Sequence, residues 1–358
     1  MLLKCYRVTK NPVSWLLPQA RKSGGKDVSK AIVAHTFAGP GTTLVEEMEA
    51  LDAPDVELRL CGPCETPQQV LEAVRDADVA MCMHEPYTRA VLANAPRLKM
   101  VMRYGVGVDT IDLEAATEYG IMVGHFPDFC IEEVANHALA HLLVCAKKMR
   151  HLDHLVRTAG WSEARAIRSP MGQIHGETLG LIAFGHIARA TASRAQALNM
   201  RVIAYDPYVP AEVFEEAGVE SVGLYDLAAQ SDYVSCHLPL TPQTGGMIDA
   251  RFFGRMKPTA YFVNTGRGAT VNEADLIAAL AEERIAGAGL DVFEREPISP
   301  DHPFCAMDNV TLTPHMASFA DQTMSIRAGR VGRSVLAVCR GGLPEFVANP
   351  QVLDHRRR

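Results

Sequence analysis

The stretch G-L-I-A-F-G-H-I-A-R-A, residues 180–190, decides how this chain is read. It lies between the apolar run Leu179–Phe184 and a helix-like segment ending near Asn199. A strand, a tight turn and a helix opening on Gly185 make half of a dinucleotide site. Glycines in such a turn let the backbone approach a pyrophosphate, and the helix N-terminus supplies N–H donors and a partial positive charge. The fingerprint asks for G-x-G-x-x-G, but its slots here hold Ala183, Gly185 and Ala188. Gly185 fills the middle slot, where approach is closest, and His186 and Ile187 follow it as the first helical donors. Alanine is allowed at the third slot. Ala183 is the departure, a methyl that disturbs the turn without abolishing it. On this stretch alone, a buried strand–helix corner with no ligand remains an open alternative.

The next strand narrows the choice. V-I-A-Y-D-P-Y ends on Asp206, 21 residues after Gly185, where an acid accepts hydrogen bonds from ribose hydroxyls. Its carboxylate repels a 2′-phosphate, and Pro207-Tyr208 offers no adjacent cation to bind one. NAD is therefore expected in preference to NADP.

Outward from this unit, short β-like runs alternate with helical ones, which predicts an α/β protein with parallel sheets. In the first series the strands are Ala31–Phe37, Val56–Leu60, Asp78–Cys82 and Lys99–Arg103. The helices are Thr43–Ala50, Gln68–Arg75 and Asp112–Tyr119, the last closed by Gly120. An unbroken helical pattern from Ile131 to Met149 is long enough to bridge two domains. The second series has strands at Leu179–Phe184, Arg201–Tyr205, Tyr233–Cys236, Ala260–Asn264, Ala288–Asp291 and Val310–Thr313. Asn272 N-caps the helix between the fourth and fifth of these, and one long helix runs beyond Met316 to about Arg340. The expected division is an extension over 1–28, a discontinuous substrate domain over 29–130 and 317–350, and a nucleotide-binding domain over 131–316.

Composition excludes several functions. With 48% apolar and 22% charged residues, 358 residues can bury a large core. A net charge of −7 argues against a nucleic-acid surface, and no apolar run reaches the ~18–20 residues of a membrane helix. The expected compartment is the cytoplasm. Residues 1–28 are basic, with Asp27 their sole acid, and lack a long apolar stretch. They read as a disordered extension rather than a targeting segment. C-G-P-C at 61–64 sits between a strand and a helix as a redox dithiol would. Nothing else suggests a thioredoxin-type domain, so a Gly-Pro turn in a reducing compartment is expected. His137 and His141 have the i, i+4 spacing of a zinc pair, but Ala138 replaces the glutamate of H-E-x-x-H and no third ligand is apparent. No metal is expected.

Reduction of a keto acid needs a cation to hold the carboxylate and polarise the carbonyl, and an acid/base for the hydroxyl proton. F-V-N-T-G-R-G puts Arg267 just past an apolar strand, at the edge where open α/β sheets bind ligands. T-L-T-P-H-M-A-S puts His315 just past another. Glu296, in L-D-V-F-E-R-E-P, is placed to pair with that imidazole and fix its tautomer. Each residue taken alone is more often structural: a solvated arginine, a core histidine, a loop carboxylate.

Together these segments resemble the D-isomer-specific 2-hydroxyacid dehydrogenases, from about Ala31 to Pro350. R-Y-G-V-G-V-D (103–109) is similar to the family's substrate loop, and P-D-F-C-I-E-E-V-A-N-H-A-L (127–139) to the entry of its bridging helix. H-L-P-L-T-P-Q-T, N-T-G-R-G, L-D-V-F-E-R-E-P and T-P-H follow in family order. The resemblance implies Arg267, Glu296 and His315 as the catalytic trio and backbone N–H groups near Val106 and Gly107 as the holders of the substrate carboxylate. It places Leu238, Thr265, Gly266 and Asp291 around the cofactor, NAD, and implies a small 2-keto or 2-hydroxy acid as substrate. It also implies a cofactor domain inserted in the substrate domain, and a homodimer. Gly266, where the family more often has alanine, is expected to loosen the loop carrying Arg267. The substrate loop is also similar to that of the C-terminal-binding-protein branch, so an NADH-sensing interaction protein with vestigial catalysis is the alternative. Arg103 reads equally as a second cation for an acidic substrate or as half of a salt bridge. The chain ends about ten residues past Val347, which speaks against the longer phosphoglycerate dehydrogenases with an amino-acid-sensing domain.

Overall fold

The computed structural model describes residues 30–39, 45–167 and 171–357; the expected N-terminal extension lies outside them. Two parallel sheets organise the chain. The first has five strands: β1 (Ala31–His35), β2 (Val56–Leu60), β3 (Val79–Cys82), β4 (Met100–Arg103) and β5 (Met122–Gly124), in the order β2-β1-β3-β4-β5. The second has seven: β6 (Thr178–Ile182), β7 (Arg201–Tyr205), β8 (Glu220–Ser221), β9 (Tyr233–Cys236), β10 (Tyr261–Asn264), β11 (Gly287–Leu290) and β12 (Val310–Leu312). Their order is β12-β11-β10-β9-β6-β7-β8.

Every residue of β6, β9, β10 and β11 is buried, as expected of parallel strands covered on both faces. All ten predicted strands are present. The two that sequence missed, β5 and β8, span three and two residues, too short for periodicity to register. In the larger sheet the chain runs outward through β6, β7 and β8, then returns to β9 and continues the other way. That reversal opens a crevice at the carboxyl ends of β6 and β9, the place where such sheets bind ligands.

The bridging segment is two helices. The first, α1 (Ile131–Ala146), packs on β10, β11 and β12; α2 (Met149–Thr158) follows. Between them Lys148 takes φ 49, a left-handed conformation that breaks the predicted continuous helix. Apolar spacing runs straight through Lys147-Lys148 and cannot register a single backbone reversal. After β12 the chain enters α3 (Asp321–Cys339), which packs against β3 and β4 of the first sheet. Beyond it, buried Asn349 accepts from Val123 N–H at 2.8 Å and donates to Ile121 O and Thr117 Oγ1, each at 3.0 Å. The seven-stranded unit is therefore an insertion into the five-stranded one. Both carboxyl edges then face a common cleft, where Arg267 of the second sheet meets Asp109 of the first.

Candidate active site

The turn after β6 bends where its sequence departs from the fingerprint. Ala183 has φ 71, the left-handed region, which costs a residue with a Cβ roughly 1–2 kcal/mol. The first glycine of the fingerprint is thus a conformational requirement that alanine meets with strain. Ala188 is fully buried against the sheet, where its methyl contributes to packing. Gly185 N-caps the helix His186–Ala197 without any side-chain cap, and a Cβ added there would meet nothing within 4 Å. The first N–H groups, on His186 and Ile187, have no acceptor among the described residues. Asp206 secures the turn, its Oδ2 accepting from Phe184 N–H at 2.9 Å and its Oδ1 from Tyr208 N–H at 3.0 Å.

Across the crevice, Leu238 and Thr265 are buried, and the Thr265 hydroxyl has no partner among the described residues. Gly266 stands close to a neighbouring strand end. Its Cα lies against the Leu238 backbone, where an added Cβ would sit 2.9 Å from Leu238 O. The glycine is there for close approach, and Asn264 fixes the turn by accepting from Gly266 N–H and donating to Arg267 O. An uncapped helix N-terminus, a glycine cradle, a strand-end carboxylate and an orphaned hydroxyl fit a dinucleotide.

Arg267 reaches across to the first sheet. Its Nε donates to Asp109 Oδ1 at 3.1 Å and its Nη1 to Gly266 O at 2.9 Å, and its guanidinium lies on Gly107, where any Cβ would overlap Nη2. Burial raises the Asp109 pKa, but the Arg267 charge and hydrogen bond outweigh it and hold the carboxylate below its ordinary value. The N–H groups of Val106 and Gly107 have no acceptor among the described residues, leaving two donors beside the guanidinium.

The other pair lies on the same side. His315 Nδ1 donates to Glu296 Oε2 at 2.7 Å, and Glu296 Oε1 accepts from Phe293 N–H at 2.9 Å. Burial pushes the Glu296 carboxyl up, but these two bonds and the neighbouring imidazoles bring it below its usual range. With Nδ1 committed to the carboxylate, Nε2 is the free nitrogen of His315. The His84 ring stands 5.8 Å from that of His315 and is drawn down to about 4, by partial burial and then by Arg103, His315 and Arg267.

Arg103 is 5% exposed and makes no salt bridge among the described residues. Its Nε donates to Gly107 O at 3.0 Å, while Nη1 is buried without a partner. Asp291 is also fully buried and turned inward: Oδ1 accepts from Thr313 Oγ1 (2.6 Å) and Met316 N–H (2.8 Å), and Oδ2 from Ala317 N–H (2.9 Å). Within this structure its carboxylate serves the His315 turn. His137 and His141 both bond Thr313 Oγ1, at 2.9 and 3.0 Å.

The comparisons accord with this geometry. Residues 139–317 match the model described as D-isomer specific 2-hydroxyacid dehydrogenase, NAD binding domain. A glyoxylate reductase of Korarchaeum cryptofilum is 40% identical over 289 residues, covering 80% of this chain and 87% of the relative. The chain belongs to the D-isomer specific 2-hydroxyacid dehydrogenase family. Among solved structures, an NADPH-dependent glyoxylate/hydroxypyruvate reductase from Sinorhizobium meliloti in complex with NADP and malonate superposes with a TM-score of 0.79. It is 27% identical, over 92% of this chain and 99% of that one. D-lactate dehydrogenase from Aquifex aeolicus, complexed with NAD and lactic acid, gives 0.77 at 26% identity, over 91% and 98%. This member of the family is an NAD(P)-dependent oxidoreductase of 2-keto and 2-hydroxy acids, built from two parallel-sheet α/β domains.

Asp109, His84 and Thr313 were not singled out from the sequence. Asp109 stood in the substrate-loop segment, but its partner is 158 residues away. The His137/His141 spacing was visible, but not that both rings bond a threonine hydroxyl 172 to 176 residues distant. The thiols of Cys61 and Cys64 are both free and pushed up by burial, Cys64 to about 11, which leaves little reactive thiolate. No helix among the described residues is long and apolar enough to cross a membrane.

Proposed function

We propose that this enzyme reduces a small 2-keto acid to the D-2-hydroxy acid with NADH, using Arg267, Glu296 and His315. The observation that carries the reading is the 2.7 Å Glu296–His315 pair with Nε2 left free, together with a guanidinium on the same sheet that has an unbonded Nη2. The nicotinamide cofactor supplies the hydride when bound. Arg267 Nη2 and the N–H groups of Val106 and Gly107 hold the substrate carboxylate, and the guanidinium polarises the carbonyl. His315 delivers a proton from Nε2 to the forming alkoxide, and Glu296 steadies the ring and the charge it carries. Residues 131–316 hold the cofactor, with Gly185, His186 and Ile187 at the pyrophosphate and Leu238, Thr265 and Gly266 lining the rest of the crevice. Residues 29–130 and 317–350 carry the substrate loop. Asp206, with no adjacent cation, favours NAD over NADP.

The protein works as a homodimer in this reading. Helix α2 buries none of its residues, and Met149, Val156 and Trp161 are 55%, 47% and 70% exposed. Apolar exposure of that kind marks an interaction surface.

The test is NADH oxidation against glyoxylate, hydroxypyruvate, phosphohydroxypyruvate, pyruvate and bulkier 2-keto acids, repeated with NADPH. Turnover with NADH preferred is expected, and His315→Ala should lower kcat by about 10²–10⁴-fold. An unchanged rate in that variant would remove His315 from the mechanism. No turnover across the panel, with NADH binding retained, would instead favour the NADH-sensing alternative.

A further inference from the structure

Behind His315 lies a closed network whose proton positions can be worked out. Thr313 Oγ1 has one proton, and its contacts are the Asp291 carboxylate at 2.6 Å and the Nε2 atoms of His137 and His141 at 2.9 and 3.0 Å. A carboxylate can only accept, so the hydroxyl proton goes to Asp291. Both lone pairs of the hydroxyl are then filled by imidazole N–H groups, so His137 and His141 are each Nε2–H. Burial keeps His141 neutral, lowering it to about 4. Gly289 of β11 makes room, since a Cβ there would lie 2.7 Å from His141 Cβ.

Asp291 passes this order on. Besides Thr313 it accepts Met316 N–H and Ala317 N–H, while its backbone carbonyl accepts His315 N–H at 2.8 Å. His315 itself has φ 55, a left-handed conformation that a non-glycine residue keeps only when its surroundings over-determine it. The network is thus what holds the imidazole in register with Glu296.

We infer that His137, His141 and Thr313 are positioning residues for His315, acting through Asp291 to hold the 313–317 turn in its reactive geometry. This rests on His315 as the acid/base and extends it to a pair of histidines on the bridging helix. The helix and the turn come from opposite ends of the inserted unit, so the contact makes placement of the acid/base depend on how α1 is seated.

The experiment is steady-state kinetics, with NADH affinity measured separately by fluorescence, on Thr313→Val, Thr313→Ser, His137→Leu and His137→Gln. Thr313→Val keeps shape and removes the hydroxyl; kcat should fall about 10–100-fold, with KM and the NADH dissociation constant within about twofold of wild type, as for a group acting only on the acid/base step. Thr313→Ser should restore kcat to within about threefold. If Thr313→Val does not fold, the half-buried His137 pair decides: Leu lowers kcat several-fold, and Gln, which retains an N–H donor, recovers it. An unchanged kcat in folded Thr313→Val, a loss carried by KM alone, or equal losses in the Val and Ser variants would each overturn the inference. His315→Ala separates the two claims. Full activity there defeats the acid/base reading itself, whereas an inactive His315→Ala beside an unaffected Thr313→Val defeats only the network.

Discussion

Two turns of the seven-stranded sheet invite comparison, because each follows a parallel strand and each contains a non-glycine residue in the left-handed region. Ala183, with φ 71, leads into the helix that opens at Gly185; His315, with φ 55, carries the imidazole. After Ala183 the N–H groups of Ala183 and Phe184 are held by Tyr205 O and Asp206 Oδ2, but the helix that follows is left uncapped: Gly185 opens on free space and no side chain bonds its first N–H groups. Around His315 they are paired, with the N–H groups of His315, Met316 and Ala317 and the Thr313 hydroxyl all engaged by Asp291. One turn leaves the start of its helix open, as the proposed cofactor site requires, while the other uses its polar groups internally. The same backbone strain serves both ends.

The sharpest way to break that contrast is Asp291→Ala. It removes the acceptor of the Thr313 hydroxyl proton and of the Met316 and Ala317 N–H groups, of which the buried Ala317 N–H alone costs about 1–3 kcal/mol when left unpaired. We expect kcat to drop by at least about 10²-fold and thermal stability to fall visibly in calorimetry; a variant with wild-type kcat would show that the turn holds itself. Acid should then probe the closed interior as a whole. His35 and His141 are buried and have folded pKa values of about 4, below the 6.5 of the unfolded chain. Between those values only the unfolded state takes up their protons. Their contribution is complete above about pH 6.5 and lost as pH falls towards 4, at up to about 1.4 kcal/mol per pH unit for each group. Urea titrations at pH 7.5, 6.5 and 5.5 would show it, and flat stability over that range would contradict the assignment.

At the open turn the effects are smaller and fall on binding. Asp206→Ala should reduce the NADH-over-NADPH preference in kcat/KM by about tenfold, which is about 1.4 kcal/mol, leaving kcat with saturating NADH nearly intact. A preference that does not change would place cofactor discrimination elsewhere. Smallest is Ala183→Gly, which relieves the left-handed strain but adds freedom to the unfolded chain. A net gain of up to about 1 kcal/mol is expected in denaturant unfolding, with NADH affinity unchanged. A loss of stability would mean that the methyl contributes more packing than its backbone conformation costs.

Much of this was legible from one chain. The strands appeared as short buried apolar runs, because parallel strands covered on both faces need no alternation. The order of motifs brought Arg267, Glu296 and His315 forward together, although each alone reads as an ordinary surface or core residue. Less was legible at the joins. The kink at Lys148 is a single residue's backbone choice, which periodicity averages away. Gly266 was read for its freedom, and the proximity of Leu238, a neighbour 28 residues away in sequence, could not be read at all.

What the sequence determined by itself is whatever depends on local pattern: strands, helix starts, the glycine cradle, the acid after β7, and the chemical inventory of the cleft. What only the tertiary structure decided is which groups meet. Asp109 holds Arg267 because two sheets place their carboxyl edges against one cleft, and Thr313 collects two histidines because α1 lies over β11 and β12. Such pairings join residues 158 to 176 positions apart. Only packing brings them within hydrogen-bond range, since periodicity and motif spacing reach no further than one or two elements along the chain.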